Sequence, residues 1–287
     1  MGKRRDGTKV KNLDGLHSLM PHIKPLRADS DIYINQKIDM EALIKYYEEL
    51  KQDEKYKDIT YFHLFCMAIG KLIYNRPQLN RFVVNKTYYD RNKVTISFVA
   101  KKDFTDESEE SFQILQINEN DNIFSLSEQI IGRVQKIRTN QSHNVDKLMD
   151  TVGKMPRWVK NIFIALASWA DKRDLLPHSL IKDFVYYSTV IVSNLGSIGC
   201  GAIYHNLTEF GTNSILITIG EIKDEIVVVD GKPTVRKMCE FGVNADERIA
   251  DGFYYVKSLQ LFEYLLQNPK LLEEEASKKI ELPKKHK

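Results

Sequence analysis

Two short segments in the second half of the chain carry side chains that could do chemistry together. The first, Ser193-Asn-Leu-Gly-Ser-Ile-Gly199, ends a predicted strand, where a serine hydroxyl could donate a hydrogen bond to a developing oxyanion. The second, Asp246-Glu-Arg-Ile-Ala-Asp-Gly252, precedes a predicted helix, and its Glu247 carboxylate could act as a general base. Each segment also has a purely structural explanation, because glycines suit tight turns and Asp251 suits a helix N-cap.

The surrounding pattern predicts an α/β protein whose strands and helices position these segments. Asp39 and Thr60 precede apolar residues at helical spacing, and the second of these helices, through Ile73, is apolar on most faces and therefore expected to be buried. Residues 93–100 alternate as a half-buried strand does. Residues 82–89 are predicted to be extended, and strands are predicted at residues 185–193, 214–219 and 226–229. Two further helices are predicted, whose inward-facing residues run from Leu126 to Ile137 and from Val256 to Leu266. Asp230-Gly231 predicts a hairpin turn.

Composition narrows the classes of function. The 287 residues are 43 % hydrophobic, enough for a packed core, and the formal net charge of +3 is too small to predict nucleic-acid binding. Three widely spaced cysteines favour a reducing compartment, so the cytoplasm is expected, and no cluster of residues has metal-ligand spacing. The apolar run at residues 162–170 is too short to span a membrane and is expected to be a buried or amphipathic helix rather than a membrane-surface segment.

Taken together, the two segments identify a resemblance. Val190–Gly199 and Asp246–Gly252 resemble, in order and spacing, the motifs of the catalytic domain of the dihydrolipoamide acyltransferases of 2-oxo acid dehydrogenase complexes and, more distantly, chloramphenicol acetyltransferase. Residues 38–43, 75–80 and 122–130 are similar to other stretches of that family. The resemblance implies a two-layer α/β (α+β) fold, a chloramphenicol acetyltransferase-like mixed sheet flanked by helices.

The same resemblance implies an active site between subunits of a homotrimer, where a coenzyme A thioester enters from one side and a small-molecule acceptor from the other. In that scheme Ser193 stabilises the oxyanion across the interface, and Asp251 supports the local geometry through an arginine, for which Arg27 is a candidate. The remaining matched residues, expected to support the site, are Asn194, Gly196, Arg248 and Gly252.

One position departs from the family pattern, because Glu247 stands where the family has its catalytic histidine. With ordinary pKa values of ~4.3 for a glutamate and ~6.5 for a histidine, a glutamate is the weaker base by ~3 kcal/mol. Three outcomes are open: a glutamate base tuned by burial, a different base such as His205, or no catalysis. The expected function is therefore acyl transfer from a coenzyme A thioester to an unknown acceptor, and the alternative is an inactive binding or scaffold protein.

The domain organisation is expected to be that of a free-standing enzyme. Residues 1–20 predict a loose basic arm, residues 21–275 the acyltransferase-like domain, and residues 276–287 a solvated lysine-rich tail. An arm of this length cannot hold the lipoyl domains that precede the catalytic domain in complex subunits. No covalently bound lipoyl group is therefore expected. No resident metal is expected either, because no cluster of residues has metal-ligand spacing.

Overall fold

A computed structural model describes residues 4–101, 110–138, 151–177, 181 and 184–283. The polar stretch predicted between residues 139 and 150 lies outside these described residues. The helices are α1 (Gly15–Ile23), α2 (Glu41–Lys51), α3 (Tyr61–Asn75), α4 (Ile123–Arg138), α5 (Arg157–Lys172) and α6 (Gly252–Gln267). The strands are β1 (Gly7–Lys9), β2 (Asp31–Asp39), β3 (Arg81–Val84), β4 (Thr87–Arg91), β5 (Val94–Lys101), β6 (Glu110–Ile117), β7 (Val190–Asn194), β8 (Ile215–Ile219), β9 (Lys223–Val229) and β10 (Lys232–Asp246).

The strands form a large mixed sheet and a small antiparallel one. The large sheet has the order β2-β10-β8-β7-β5-β6, with β9 paired to the first half of β10. Strands β5, β7 and β8 run parallel to one another at its centre, and the outer pairs are antiparallel. The small sheet has the order β1-β4-β3. The predicted fold class, a mixed sheet flanked by helices, is confirmed.

The core lies between the large sheet and the helices on one of its faces. Helix α3 begins after Thr60, as predicted, and its residues from His63 to Ile73 are all buried. Alternate strand residues such as Val192, Ile217 and Phe241 belong to the same apolar cluster. Because successive strand residues point to opposite faces, Ser193 and its neighbours on adjacent strands face away from these helices.

The structure changes several predicted elements. Residues predicted as one extended segment form the β3–β4 hairpin, whose turn residues Asn85 and Lys86 have positive φ. Val256 was predicted to face inward, but it is 51 % exposed, because the buried stripe of α6 runs through Tyr255 and Ser258 instead. The Asp230-Gly231 hairpin turn is confirmed, with positive φ at both residues.

The described ends of the chain pack on the domain. Gly7 pairs with Arg91 in the small sheet, and Arg4 is buried, so these residues do not form a loose arm. At the other end Ala276 is fully buried, and the backbone N–H of Ile280 donates to Asn75 Oδ1 at 3.0 Å, so the solvated tail does not begin at residue 276. The domain limits at residues 20 and 275 stay predictions.

Candidate functional site

The first segment is held by its backbone. The N–H of Leu195 donates to Ile219 O at 2.9 Å, and a 3-10 turn follows over Gly196–Ile198. Gly196 passes so close to β8 that an added Cβ would lie 2.4 Å from Gly220 O. Gly199 has φ of 73°, a left-handed conformation that glycine adopts without strain. Asn194 contributes its carbonyl oxygen, which accepts the Ser197 hydroxyl at 2.8 Å. This loop therefore needs two glycines for two different physical reasons.

The Ser193 hydroxyl lies on the sheet face opposite the helices. Ser193 is half-buried and pairs in register with Thr218 on β8. Thr218 hydrogen-bonds to the carbonyl oxygen of Ile203, so the 200–211 loop crosses the same face. Among the described residues the Ser193 hydroxyl has no hydrogen-bond partner, which leaves it able to donate to a ligand.

The second segment is held by a buried ion pair. Asp246 ends β10 and is fully buried, and its carboxylate accepts two hydrogen bonds from the Arg248 guanidinium, at 2.8 and 2.7 Å. Arg248 also donates to the carbonyl oxygens of Lys24 and Pro25, at 3.0 and 3.2 Å. Burial alone would lower the pKa of Arg248, but the Asp246 carboxylate outweighs burial and raises it. Arg248 therefore stays charged and ties the chain after α1 to the end of β10.

Glu247 lies between these buried groups but points outward. Its backbone N–H donates to Ser30 O at 2.8 Å, which fixes the main chain, and its side chain is 41 % exposed. The carboxylate forms an ion pair with the ammonium group of Lys24. Lys24 was missed by sequence reasoning, because it lies 223 residues away and no motif connects it to Glu247.

The predicted pairing of Arg27 with Asp251 is wrong. Arg27 is buried and donates to four backbone carbonyl oxygens, of Thr208, Glu209, Val83 and Gly211, at 2.9 to 3.2 Å. Burial lowers its pKa. Asp251 instead caps α6, accepting the Tyr254 N–H at 2.7 Å, which is the structural role that the sequence already allowed. Arg27 is thus an anchor between the 24–30 segment and the 208–211 segment.

Two further candidate residues lie at the surface. His205 is exposed, and its backbone N–H donates to Asn244 Oδ1 at 3.2 Å, while no group among the described residues orients its imidazole. An added Cβ at Gly252 would meet no atom within 4 Å, so packing within one chain does not require glycine there.

Ser193 and Glu247 are not brought together within one chain. Ser193 is in register with Thr218 and Thr218 with Gly242, which precedes Glu247 by five residues. With about 3.3 Å per residue along a strand and about 4.8 Å between strands, the two residues lie roughly 19 Å apart. They can act on one substrate only if different copies of the chain supply them.

A cavity of about 190 Å³ with mixed polar and apolar walls lies next to the second segment. Arg27, Arg248 and Glu209 line it, together with Lys86 from the β3–β4 turn and Lys172 from α5. None of the described helices combines the length and apolar character needed to cross a bilayer. Within the same described residues no group of three or more His, Cys, Asp or Glu side chains could hold a metal ion.

Both segments fall within a stretch that matches a known family. Residues 178–273 match the family model of the 2-oxoacid dehydrogenases acyltransferase catalytic domain. The resemblance predicted from the two motifs is confirmed. The matched residues 178–273 include Ser193, Glu247 and Asp251. No curated protein matches the sequence.

Solved structures share the fold over nearly the whole chain. A probable dihydrolipoamide acetyltransferase from Listeria monocytogenes is 17 % identical with a TM-score of 0.59, covering 91 % of this chain and 95 % of that one. A dihydrolipoamide acetyltransferase from Azotobacter vinelandii, studied for the catalytic roles of a serine, a histidine and an asparagine, is 13 % identical with a TM-score of 0.60, at 92 % and 94 % coverage. A chloramphenicol acetyltransferase is 8 % identical with a TM-score of 0.54, at 91 % and 98 % coverage. At these identities the likeness shows the fold, which therefore extends beyond residues 178–273.

Proposed function

We propose that this protein is an acyltransferase that moves an acyl group from a coenzyme A thioester to a small-molecule acceptor. The observation that carries the proposal is the family match over residues 178–273, a range that includes both Ser193 and Glu247. The accessible hydroxyl of Ser193 and the half-exposed carboxylate of Glu247 support it.

In the proposed reaction Glu247 acts as the general base and Ser193 as the oxyanion donor. Glu247 takes the proton from the acceptor hydroxyl, thiol or amine as that atom attacks the thioester carbonyl carbon. Ser193 donates to the carbonyl oxygen while it carries negative charge. When the carbonyl re-forms, the C–S bond breaks, and Glu247 returns its proton to the departing thiolate.

The proposal requires at least two copies of the chain, and we propose a homotrimer. The separation of roughly 19 Å between Ser193 and Glu247, estimated from strand geometry, excludes their joint action within one copy. Three large apolar side chains near Glu247 are exposed to solvent. Leu19 and Ile23, on helix α1, which contacts the 247–249 turn, are 56 % and 66 % exposed, and Phe253, six residues after Glu247, is 73 % exposed. A neighbouring copy would cover them.

The free cysteines Cys66, Cys200 and Cys239 suit a reducing compartment, and we propose the cytoplasm.

The cavity within one chain offers two lysines for the phosphate groups of coenzyme A but is too small for the whole molecule. Lys86 and Lys172 are cations of the kind that bind phosphate. The guanidinium groups of Arg27 and Arg248 already donate to backbone carbonyl oxygens and to Asp246, and the carboxylates of Asp171 and Glu209 line the same cavity. However, about 190 Å³ is smaller than the ~300–1,000 Å³ of typical small-molecule sites. A second copy would have to complete the walls. We propose that coenzyme A is a co-substrate and that the protein uses neither a resident metal nor a covalently bound lipoyl group.

The proposal is tested by acyl transfer from acetyl- and succinyl-coenzyme A to a panel of thiol, amine and hydroxyl acceptors. We expect Ser193→Ala to lower kcat by about 10²–10³-fold and Glu247→Gln by about 10²–10⁴-fold. Ser197→Ala is the matched control, because Ser197 lies in the same loop with its hydroxyl on Asn194 O and should stay within about twofold of wild type. Turnover that is indifferent to both active-site changes would refute the assigned roles.

A second candidate is a catalytically inactive protein that keeps the fold and binds a ligand. The Lys24–Glu247 ion pair favours it, because the carboxylate already has a partner and must leave it to accept a proton. Wild-type protein without turnover, together with a Glu247→His variant that gains it, would establish this candidate.

Removing the Lys24 partner separates the two candidates further. An ion pair this exposed contributes at most about 1 kcal/mol, so Lys24→Met should raise kcat/KM by up to about fivefold if Glu247 is the base. Lys45→Met, on the exposed side of α2, is a matched control with the same loss of charge. A drop in activity with Lys24→Met would mean that the ammonium group itself takes part in the reaction.

A further inference from the structure

Helix α5 contacts the rest of the described protein at its C-terminal end. Asp171 is buried, and the Arg4 guanidinium donates to its carbonyl oxygen at 2.7 Å and to its carboxylate at 3.1 Å. Ser168 is half-buried and lines the cavity beside the second segment. A surface helix of a globular protein normally turns its apolar side to the core, whereas in α5 the buried residue is the acid Asp171 and residues 161–166 are all exposed.

The large apolar residues of α5 are exposed, and four of them form a stripe along the helix. Trp158, Ile162, Leu166 and Trp169 follow at spacings of four, four and three residues and therefore share one face. Their exposed fractions are 68, 54, 62 and 51 %. A continuous apolar stripe of this kind is unusual on a protein surface unless a partner covers it. The sequence favoured a buried or amphipathic helix over a membrane-surface segment here; the helix is exposed, so the disfavoured alternative has to be considered again.

The charges around this face identify the kind of partner. Residues 154–173 contain five basic side chains, Lys154, Arg157, Lys160, Lys172 and Arg173, and a single acid, Asp171, which Arg4 neutralises. In the part of the chain that the structure describes, none of the five has a carboxylate partner. The guanidinium of Arg173 lies 4.4 Å from the Trp169 ring centroid, at the end of the apolar stripe. Apolar residues with tryptophans, bordered by cations, complement the surface of an anionic bilayer.

We propose that α5 binds the surface of a membrane containing anionic phospholipids, with its apolar face in the region between headgroups and acyl chains. Its 16 residues span about 24 Å, so the helix lies in the plane of the surface and does not cross it. The basic residues at both ends contact lipid phosphates, and the inward side of the helix keeps its contacts with Arg4. This inference does not depend on the roles of Ser193 and Glu247, although Lys172 also lines the cavity considered above for the coenzyme A phosphates.

The two tryptophans make the proposal directly measurable. The chain contains only Trp158 and Trp169, both on the exposed face, so tryptophan fluorescence reports this face alone. Full-length protein is titrated with vesicles of phosphatidylcholine, with or without 30 mol% phosphatidylglycerol. We expect a blue shift of the emission and co-sedimentation with the anionic vesicles, and binding at least about tenfold weaker to neutral vesicles or at 0.5 M salt.

The variant Ile162→Glu/Leu166→Glu keeps both tryptophans and removes the apolar centre of the face. It should weaken binding to anionic vesicles by at least about 30-fold. Ile226→Glu/Val228→Glu on β9 is the matched control, with the same side-chain chemistry at residues that are 76 and 75 % exposed; it should bind within about twofold of wild type.

Three results would overturn the proposal. The first is the absence of both blue shift and co-sedimentation with anionic vesicles. The second is an equal loss of binding in the β9 control. The third is emission that is already blue-shifted without vesicles, together with a smaller oligomer for the α5 variant in sedimentation velocity, which would assign the face to a second copy of the chain.

Discussion

The two motif segments are held in place by opposite means. The Ser193–Gly199 loop is held by backbone hydrogen bonds and by the absence of side chains, since Gly196 passes β8 without room for a Cβ. The Asp246–Gly252 turn is held by side chains, through the buried pair of Asp246 and Arg248. The stability of the loop should therefore fall when atoms are added to its glycines, and the stability of the turn should fall when a buried charge is removed.

In both segments the candidate reactive group is the one that does not hold the structure. The Ser193 hydroxyl has no partner among the described residues, and Glu247 points outward from a main chain fixed by its neighbours. This division lets the reactive side chain change while the segment keeps its shape. It explains how a glutamate can occupy position 247 without disturbing Arg248 or Asp251.

The largest effect is expected from breaking the buried pair. Arg248→Met would leave the Asp246 carboxylate buried without its partner and would also release the carbonyl oxygens of Lys24 and Pro25. We expect the free energy of unfolding to fall by about 3–5 kcal/mol, measured by urea denaturation.

The adjacent residue provides the control for that change. Glu247→Gln alters a half-exposed ion pair and should cost less than about 1 kcal/mol. Adding Asp246→Leu to Arg248→Met should recover part of the loss, because it removes the buried uncompensated charge. Equal losses of unfolding free energy in Glu247→Gln and Arg248→Met would contradict the inference that Arg248 holds the turn in place and Glu247 does not.

An intermediate effect is expected from adding one methyl group to the loop. In Gly196→Ala the new Cβ would overlap the backbone of Gly220, so β7 and β8 must shift, at a cost of about 1–3 kcal/mol. In Gly199→Ala the new Cβ meets no atom, so the only expected loss of stability comes from the positive φ, about 1 kcal/mol. Thermal or urea denaturation ranks the two variants by stability. A larger loss of stability in Gly199→Ala than in Gly196→Ala would show that backbone conformation, and not the close contact with Gly220, limits substitution in this loop.

Local patterns predicted the elements but not the contacts between distant residues. Helix α3 and strands β5 and β8 follow from apolar periodicity, and the resemblance of both motifs to one family followed from their order and spacing. Strand β6 was missed, and the Lys24–Glu247 pair could not be foreseen, because each depends on residues that meet only after folding. Arg27 was assigned to Asp251 by analogy, whereas backbone carbonyl oxygens satisfy it in the structure.

The smallest effect is expected at Asp251, where capping and catalysis make different predictions. Asp251 accepts the Tyr254 N–H, so Asp251→Ala should cost about 1 kcal/mol, whereas Asp251→Asn caps nearly as well and should cost no more than a few tenths. Arg27 is not its partner, and no arginine among the described residues pairs with Asp251. We therefore expect acyl transfer by the asparagine variant within about twofold of wild type. Urea denaturation and kcat/KM are measured on both variants. A stable Asp251→Asn protein with activity lowered more than about tenfold would instead show that the charge acts on a residue of a neighbouring copy, and the turn would then hold two reactive groups rather than one.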